Sequence, residues 1–333
     1  MTVVSPGLEI ERIRGCLLGG AVGDALGWPV EFQSLGQIRR TFGTQGVTAP
    51  VESPAGVFEV SDDTQMTLFT AEGILRARRA GYPDQSRETI EEVSKAYGRW
   101  LYTQGFKEAL DPSGLDGWLI EIPELFNQRA PGQTCLGALL EGRAYDDSKG
   151  CGGIMRVAPV GLLHDSPMVP ACLIADITHG HPTGYLSAGC FALIIRLIAE
   201  GATVQEAARA ACDVVIRSEG SLEVAGAIHV ALELAGRTTH PGPSHVESLG
   251  AGWVAEEALA IALFCSLKAG SFEEGVLLAV NHSGDSDSTG ALTGSILGCL
   301  MGPGSIPSAW LEKLELRLAI ERIAGEIASC REL

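Results

Sequence analysis

The chain has 333 residues, of which 46% are hydrophobic and 42 are glycine, and its formal net charge is −17. The hydrophobic share can fill a sizeable core, which excludes disorder as a description of the whole chain. The negative charge repels a phosphate backbone, so general nucleic-acid binding is disfavoured, although a local site is not excluded.

Membrane insertion and secretion are also disfavoured. The best candidate for an apolar span, Phe191 to Ala199, is interrupted by Arg196 and is well short of the about 20 residues that cross a bilayer. The N-terminal segment has early acidic residues and no apolar core, so it does not resemble a signal peptide. Nine scattered cysteines without a CxxC pair indicate mostly small buried thiols in a reducing compartment. We therefore expect a cytoplasmic protein.

Apolar residues recur at helical spacing along most of the chain, and alternating β-branched runs are almost absent. In chain order this spacing predicts helices over Leu8 to about Gly27, 64–80, 87–102, 134–142, 171–178, 184–200, 204–217, 221–236, 252–268, 271–280, 287–301 and 308–325. Segments with Pro and Gly interrupt the pattern at 105–117, 237–252 and 302–307, and none is long or polar enough for an interdomain linker. The sequence predicts one all-α domain over residues 1–333.

Glycine recurs at every fourth position in two predicted helices, one near each end of the chain: Gly15, Gly19, Gly23 and Gly27, then Gly290, Gly294, Gly298 and Gly302. This spacing keeps each set on one helical face, and each interior glycine costs about 1 kcal/mol relative to alanine. Two interpretations stay open. Either each stripe only lets large neighbours pack, or the two helices cross closely and bring their polar ends together.

Acidic groups lie at helix ends in three places: Asp24 with Glu31, then Ser61-Asp62-Asp63-Thr64, then Asp285-Ser286-Asp287-Ser288-Thr289. Taken singly, either of the last two motifs is ordinary helix N-cap chemistry, in which a side-chain oxygen accepts a free backbone N–H. Each motif, however, supplies more carboxylates than a cap uses, and both precede apolar helices rich in small residues.

A close helix crossing would gather five carboxylates in one partly buried pocket: Glu31, Asp62, Asp63, Asp285 and Asp287. Buried like charges are costly and raise one another's pKa until protons neutralise them. Hard divalent ions remove that cost, because Mg²⁺, Mn²⁺ and Ca²⁺ prefer carboxylate, hydroxyl and water oxygens. We therefore expect a pair of such ions, and not zinc, since no His or Cys pair lies at ligand spacing nearby.

The order of these motifs resembles the ADP-ribosylglycohydrolase family, which contains the dinitrogenase-reductase-activating glycohydrolase and the ADP-ribosylarginine and ADP-ribosylserine hydrolases. The matching segments run from residue 15 to about 302: GCLLGGAVGDALGWPVEF, SDDTQMTL, KGCGGIMRVAPVGLL, ITHGHPTG and NHSGDSDSTGALTGSILG. The resemblance implies a single-domain helical bundle with two Mg²⁺ or Mn²⁺ ions in a cleft. It also implies an enzyme that hydrolyses the bond between C1″ of ADP-ribose and an acceptor.

The resemblance implies roles for single residues. It implies a first metal-binding motif at Ser61, Asp62 and Asp63, where the family more often has Thr than Ser, and a second at Asp285, Asp287 and Ser288. Glu31 matches an acidic residue on a loop that closes over the site in some relatives. The catalytic water would be deprotonated by one of four carboxylates: Glu31, Asp62, Asp63 or Asp285.

The resemblance also implies a ligand-binding wall, formed by Ser148, Gly150, Cys151, Gly152, Gly153, Met155 and His179. Residues 150–156 fall on a loop that wraps the ribose and diphosphate in the family, and His179 matches a residue that contacts the ligand phosphates. Glycines allow backbone N–H groups to converge on a phosphate, although the Gly-x-Gly-Gly pattern by itself, without the resemblance, favours an ordinary turn. Cys151 departs from the asparagine common at its position.

Several polar residues near these motifs have structural interpretations. His179 and His181 could form a helix C-terminal contact before a stop at Pro182. We expect Arg156 to fix its loop and not to touch substrate, and Asp24 to be structural.

His282 precedes the second Asp motif. Its position is equally compatible with a hydrogen bond inside the turn and with a contact to the ligand.

Two other functions stay open. A two-metal phosphoesterase would also use a carboxylate-bridged ion pair. A binding or structural protein, such as the lens crystallins among the relatives, would have lost metal ligands, whereas here every ligand position is filled. The acceptor is most simply a protein side chain such as arginine, with serine, another side chain or a nucleobase as alternatives. The expected partner is accordingly an ADP-ribosylated protein or a small molecule that contains ADP-ribose.

Overall fold

A computed structural model describes residues 6–109 and 114–331, and the first five residues of the N-terminal segment lie outside these ranges. The described residues form sixteen α-helices and no β-strand, which confirms the predicted all-α class. The helices are α1 (Pro6–Gly27), α2 (Leu35–Phe42), α3 (Asp62–Arg79), α4 (Arg87–Thr103), α5 (Gln133–Glu141), α6 (Ala158–Leu163), α7 (Met168–Asp176), α8 (Pro182–Ala199), α9 (Val204–Val215), α10 (Leu222–Arg237), α11 (Pro243–Glu247), α12 (Ala255–Lys268), α13 (Phe272–Val280), α14 (Ser286–Met301), α15 (Ser308–Glu312) and α16 (Arg317–Arg331).

One predicted helix is wrong. The segment 308–325 contains two helices, because the residues between α15 and α16 pair with an extended segment far away in sequence. The amide of Phe58 donates to the carbonyl of Lys313 at 2.8 Å, and the amide of Glu315 donates to the carbonyl of Phe58 at 3.0 Å. Leu316 follows with a φ of +59°, so the helix cannot continue through it.

Three short helices, α2, α6 and α11, were not predicted. α2 has a recognisable start, because Ser34 caps the amide of Gln37 and the Gln37 side chain accepts from the amide of Ser34. That reciprocal pattern is a capping box, which the spacing Ser-x-x-Gln encodes in the sequence. The other predicted helices are present, with ends within three residues of those expected.

The two glycine stripes face one another where α1 and α14 cross in antiparallel orientation, with these pairs: Gly15 and Gly298, Gly19 and Gly294, Gly23 and Gly290. A Cβ added to any of these six residues would lie 1.9–2.3 Å from the carbonyl oxygen of its opposite number, which is closer than side chains pack. Of the two interpretations of the stripes, the close crossing is therefore the correct one. Gly302 forms no such reciprocal pair: it ends α14 with a φ of +77°, and nothing lies within 4 Å of a Cβ added to it, although its backbone lies beside Gly15. Gly27 faces Ser286.

The crossing places the C-terminal end of α1 beside the N-terminal end of α14. Asp24, near that end of α1, accepts hydrogen bonds from the amide of Ser61 at 2.9 Å and from the amide of Thr64 at 3.2 Å. The Asp24 carboxylate thus satisfies free amides at the N-terminus of α3, which agrees with its expected structural role. The starts of α3 and α14 and the end of α1 meet at one place.

The core extends through most of the helices, and one hydrophobic cluster includes residues from Ile13 to Ile327. By length and composition α8 is apolar enough to cross a membrane, but 78% of it is buried inside the fold. A buried core helix meets the same criterion, so α8 is weak evidence for a membrane span. All nine cysteines are free thiols. The single-domain organisation stays a prediction.

We expect Gly294→Ala to lower the free energy of unfolding by about 3 kcal/mol or more, because its Cβ would lie 2.0 Å from the Gly19 carbonyl oxygen and backbone cannot move aside cheaply. Gly226→Ala in α10 is the control, because nothing lies within 4 Å of that Cβ and alanine favours a helix. Denaturant unfolding measures both. Equal stabilities of the two variants would contradict a close backbone crossing.

Candidate active site

The first acidic motif begins α3 and is held there by polar contacts on both sides. Ser61 caps the helix, its hydroxyl accepting from the amide of Asp63 at 3.2 Å. The carboxylate of Asp62 accepts from the amide of Gly132 at 3.0 Å, which joins α3 to the loop before α5. These bonds fix the backbone of the motif while leaving carboxylate oxygens available.

A buried ion pair fixes the residue just before this motif. Arg129 contacts Glu315 through both of its terminal nitrogens, and it also donates to the carbonyl of Val60 at 3.0 Å. Glu315 in turn accepts from the amide of Val60 at 3.2 Å. The interruption between α15 and α16 therefore helps to position the start of α3.

The second acidic motif begins α14. The Asp285 carboxylate caps the helix by accepting from the amide of Ser288 at 3.3 Å, and Asp287 accepts from the same amide at 3.0 Å. The amide of Asp285 donates to the carbonyl of Ala251 at 2.8 Å, which ties the motif to the loop before α12. Nε2 of His282 lies 3.0 Å from the hydroxyl of Thr289. That contact supports the interpretation of His282 as part of the turn.

Three of the carboxylates lie close together, since Glu31, Asp285 and Asp287 each offer an oxygen within 4.8 Å of the others. Asp62 and Asp63 line the same cleft. Among the described residues, one oxygen each of Glu31, Asp63 and Asp285 is buried without a hydrogen-bond partner. Unpartnered buried carboxylate oxygens are costly, so this cluster is arranged to contact something besides the protein.

The cluster cannot be fully ionised by itself. Burial, followed by the charges of Asp287 and Asp285, raises the pKa of Glu31 to about 10. Burial and the charge of Asp287 raise the pKa of Asp24 to about 7. Burial also raises the pKa of Asp62, Asp63 and Asp285 well above the ordinary range of an aspartate. Either protons or cations must offset these charges.

The donor set fits hard divalent cations. It consists of carboxylate oxygens together with the hydroxyls of Ser61 and Ser288, which are the ligands that Mg²⁺ and Mn²⁺ prefer. Ser288 lines the cleft, whereas Ser61 lies behind it, fully buried. Five of the six predicted metal ligands, all but Ser61, thus line one cleft, and the coordination roles of all six stay predictions.

The carboxylates line a cleft of about 410 Å³, and the same cleft is lined by Gly150, Cys151, Gly152, Met155 and His179, which we call the glycine wall. The thiol of Cys151 lies beside the carboxylate of Asp285. The amide of Cys151 donates to the carbonyl of Trp253 at 3.1 Å, so this amide is not free to bind an anion. Burial raises the pKa of the Cys151 thiol well above its usual value.

Two predicted ligand residues lie outside this lining. The hydroxyl of Ser148 is 3.2 Å from that of Thr134, which does line the cleft. Gly153 packs behind the wall, where an added Cβ would lie 3.4 Å from side chains of Ala175 and His179. Gly153 therefore supports the wall instead of facing the cleft.

The two histidines of the Thr-His-Gly-His-Pro segment have different positions. Pro182 begins α8, and His181 caps that helix by accepting from the amide of Thr183 at 3.2 Å. The segment does follow the end of α7, since the amide of His179 donates to the carbonyl of Ala175 at 2.9 Å. The proline stop, however, is wrong, because Pro182 begins α8, and proline is favoured at the first position of a helix. His179 lines the cleft, and burial lowers its pKa to about 3.

Sequence reasoning missed the aromatic mouth of the cleft. Phe32 and Trp253 stack with ring centroids 5.5 Å apart, and they are 71% and 40% exposed. Both line the cleft, as does the segment from Ala130 to Cys135. Phe32 follows Glu31 directly, so the sequence did contain a sign that a bulky apolar side chain lies near that acidic residue. Trp253 lies more than two hundred residues away, and no local pattern pairs it with Phe32.

The family comparison agrees with this site. The sequence model for ADP-ribosylglycohydrolase matches residues 5–332, so the chain belongs to the ADP-ribosylglycohydrolase family. Because the family and its named members are ADP-ribosylhydrolases, the protein is an enzyme, an ADP-ribosyl glycohydrolase.

Individual relatives match over most of their length. The ADP-ribosylarginine hydrolase Tri1 of Pseudomonas putida is 25% identical over 97% of this chain and 80% of its own. The ADP-ribosyl-[dinitrogen reductase] glycohydrolase of Rhodospirillum rubrum is 26% identical over 93% of this chain and 92% of its own. A solved structure described as an ADP-ribosylglycohydrolase-related protein complex aligns with a TM-score of 0.65 at 25% identity, covering 97% and 99% of the two chains.

The carboxylate cluster predicts an unusual pH dependence of stability. In the unfolded chain these carboxyls ionise near pH 4, but in the fold without cations their pKa values are raised, to about 7 for Asp24 and about 10 for Glu31. The folded state then keeps protons that the unfolded state has released. The free energy of unfolding therefore falls as the pH rises from about 5 to about 8, and thermal unfolding in the presence of a chelator measures it.

Added Mg²⁺ or Mn²⁺ is expected to reverse this decline, because such ions would bind the assembled cluster and not the unfolded chain. Asp285→Asn is expected to raise the unfolding temperature at about pH 8 with a chelator present and to remove the gain from Mg²⁺. Asp213→Asn, at an exposed carboxylate, is the control and should change neither result. A wild-type stability that rises with pH and ignores both ions would contradict the expectation.

Proposed function

We propose that this glycohydrolase uses two Mg²⁺ or Mn²⁺ ions to hydrolyse the bond between C1″ of ADP-ribose and a protein side chain, most simply arginine, releasing ADP-ribose. The observation that carries the proposal is the convergence of five buried carboxylates, three with unpartnered oxygens, in one cleft. We propose that the enzyme acts in the cytoplasm, which the nine free thiols support.

Each of the two acidic motifs would supply most of the ligands of one metal ion. Ser61, Asp62 and Asp63 would hold mainly one ion, and Asp285, Asp287 and Ser288 mainly the other. Bound divalent ions would orient the ribose hydroxyls and stabilise the charge that develops as the glycosidic bond breaks.

The protein's own groups supply proton transfer. Glu31, Asp63 and Asp285 each have a carboxylate oxygen without a protein partner, so each is able to accept a proton from an attacking water. Asp62 has one oxygen engaged by the amide of Gly132 and is better suited to a fixed ligand role. The cleft thus offers more than one candidate base close to the reacting bond.

Arginine as the acceptor is supported by the mouth of the cleft. The exposed faces of Phe32 and Trp253 suit a planar guanidinium, which stacks on aromatic rings through cation–π attraction. The carboxylates that line the same cleft attract the same cation. Tri1, one of the relatives, is named an ADP-ribosylarginine hydrolase.

Replacing Asp285 tests the proposed chemistry. Asp285→Asn keeps the shape of the side chain but removes its charge, and we expect release of ADP-ribose from an arginine-modified protein with Mg²⁺ to fall by at least about 100-fold. The same assay is run on Asp62→Ala and on the control Asp213→Asn, which should keep wild-type activity. Unchanged activity of both cluster variants would refute the proposal.

The products distinguish the alternative enzyme. Chromatography of the reaction should show free ADP-ribose, whereas a two-metal phosphoesterase would release AMP or inorganic phosphate. A panel of arginine-, serine-, acidic-residue- and guanine-linked ADP-ribose, with Mg²⁺ and with Mn²⁺, identifies the acceptor and includes the nucleobase-linked alternative.

Trp253 provides a test of the acceptor. We expect Trp253→Ala to lower kcat/KM for arginine-linked ADP-ribose by about 10-fold, the size of a partly desolvated cation–π contact. Trp253→Phe keeps an aromatic face and should retain most of the activity. The readout is the ratio of arginine-linked to serine-linked hydrolysis, because a general disturbance of the cleft lowers both rates together. An unchanged ratio would exclude aromatic recognition of the acceptor.

A further inference from the structure

Arg156 is a buried cation in an unusual setting. Its side chain is fully buried, and no carboxylate in the described ranges lies within salt-bridge distance of it. The other three buried arginines each contact a carboxylate: Arg99 with Glu72, Arg129 with Glu315, and Arg196 with Asp165. Burying a charge without a counter-charge is costly, so the contacts that Arg156 does make need an explanation.

Those contacts lead toward the cleft. The guanidinium lies over the ring of Tyr97 at 4.4 Å and donates to the hydroxyl of Thr178 at 2.7 Å and to the carbonyl of Ile174 at 3.2 Å. The Thr178 hydroxyl also lies 2.8 Å from Nδ1 of His179. A guanidinium can only donate. The hydroxyl of Thr178 must therefore accept from Arg156, and its own proton remains for another acceptor.

That proton determines the tautomer of His179. Nδ1 of His179, at 2.8 Å, is a closer acceptor for the Thr178 hydroxyl than the carbonyl of Ala175, at 3.5 Å, and the shorter contact is the stronger. A neutral imidazole whose Nδ1 accepts a hydrogen bond carries its proton on Nε2. Burial, reinforced by the charge of Arg156, lowers the pKa of His179 to about 3, so the ring is neutral at physiological pH.

Nε2 of His179 is on the side of the glycine wall. A Cβ added to Gly150 would lie 3.4 Å from this nitrogen, and one added to Gly152 would lie 3.2 Å from it. We propose that Arg156 is a positioning residue that, through the hydroxyl of Thr178, holds His179 in the tautomer that presents Nε2–H to an anionic oxygen of the ligand. The contact of His179 with the diphosphate of ADP-ribose is implied by the resemblance and rests on the proposed function; the new step is the positioning of its ring by Arg156 through Thr178.

The tautomer is measurable in the free enzyme. Long-range ¹H–¹⁵N correlation spectra of the full chain with ¹⁵N-labelled histidine distinguish Nδ1–H from Nε2–H, and His179→Gln assigns the signal. We expect wild-type His179 to be the neutral Nε2–H form from about pH 5 to about pH 8. A wild-type Nδ1–H form, or a charged ring in this range, overturns the proposal without any further variant.

Thr178→Val removes the hydroxyl while leaving the bond from Arg156 to Ile174 in place, and Thr178→Ser restores the hydroxyl. We expect the valine variant to lose the pure Nε2–H form and to bind ADP-ribose about 10-fold more weakly, with the serine variant close to wild type in both respects. Thr103→Val, which deletes a buried hydroxyl at the end of α4, controls for general loosening and should leave the tautomer and the affinity unchanged.

Calorimetric titration with ADP-ribose, and with adenosine as a probe that lacks the diphosphate, distinguishes failure of the positioning role of Arg156 from failure of the proposed function. Weaker binding of ADP-ribose alone by the valine variant supports the positioning role, and equal weakening of both probes overturns it. If the wild type binds no ADP-ribose, the proposed function fails, while the spectra still decide the tautomer. A valine variant that keeps the pure Nε2–H form shows that Arg156 does not act through Thr178.

Discussion

The backbone contact between α1 and α14 is the constraint on which the site depends. Two helices with ordinary side chains pack with axes about 8–10 Å apart, but glycine faces bring these backbones into direct contact. Because the helices are antiparallel, that contact places the end of α1, with Glu31 just beyond it, against the start of α14 with Asp285 and Asp287. A methyl group on any of the paired glycines would push the two helices apart and would separate the carboxylates at their ends.

The close crossing of α1 and α14 lowers the stability of the fold in two ways. Each glycine weakens its own helix, and the crossing assembles like charges whose raised pKa values record their repulsion. The fold offsets part of that cost locally, since Asp24 accepts the free amides at the start of α3 and Asp285 caps α14. The remaining unpartnered oxygens are not satisfied by protein, which makes the cluster dependent on cations or protons.

The sequence revealed the parts of the site that local spacing encodes. Glycine every fourth residue and acidic motifs before apolar helices are short-range patterns, so most of the long helices and the five carboxylates were predictable. The stack of Phe32 on Trp253 and the break between α15 and α16 depend on contacts between residues far apart in the chain. A single sequence contains no direct record of such pairs. Nothing in the local sequence around Leu316 argues against a helix, and only the hydrogen bonds of Phe58 with Lys313 and Glu315 show why the helix is interrupted there.

The residues that line the cleft differ in charge, and this difference bears on how the proposed substrate would bind. The carboxylates repel a diphosphate but attract cations and hydroxyl groups, so they would suit the ribose and a guanidinium acceptor. The glycine wall itself contributes no carboxylate: it consists of glycine backbone, the Cys151 thiol beside Asp285, a methionine and the neutral ring of His179, which Arg156 contacts through Thr178. A protonated imidazole would be attracted to the carboxylates that line the same cleft as much as to a phosphate. A neutral N–H donor with a buried cation behind it attracts an anion without that competition.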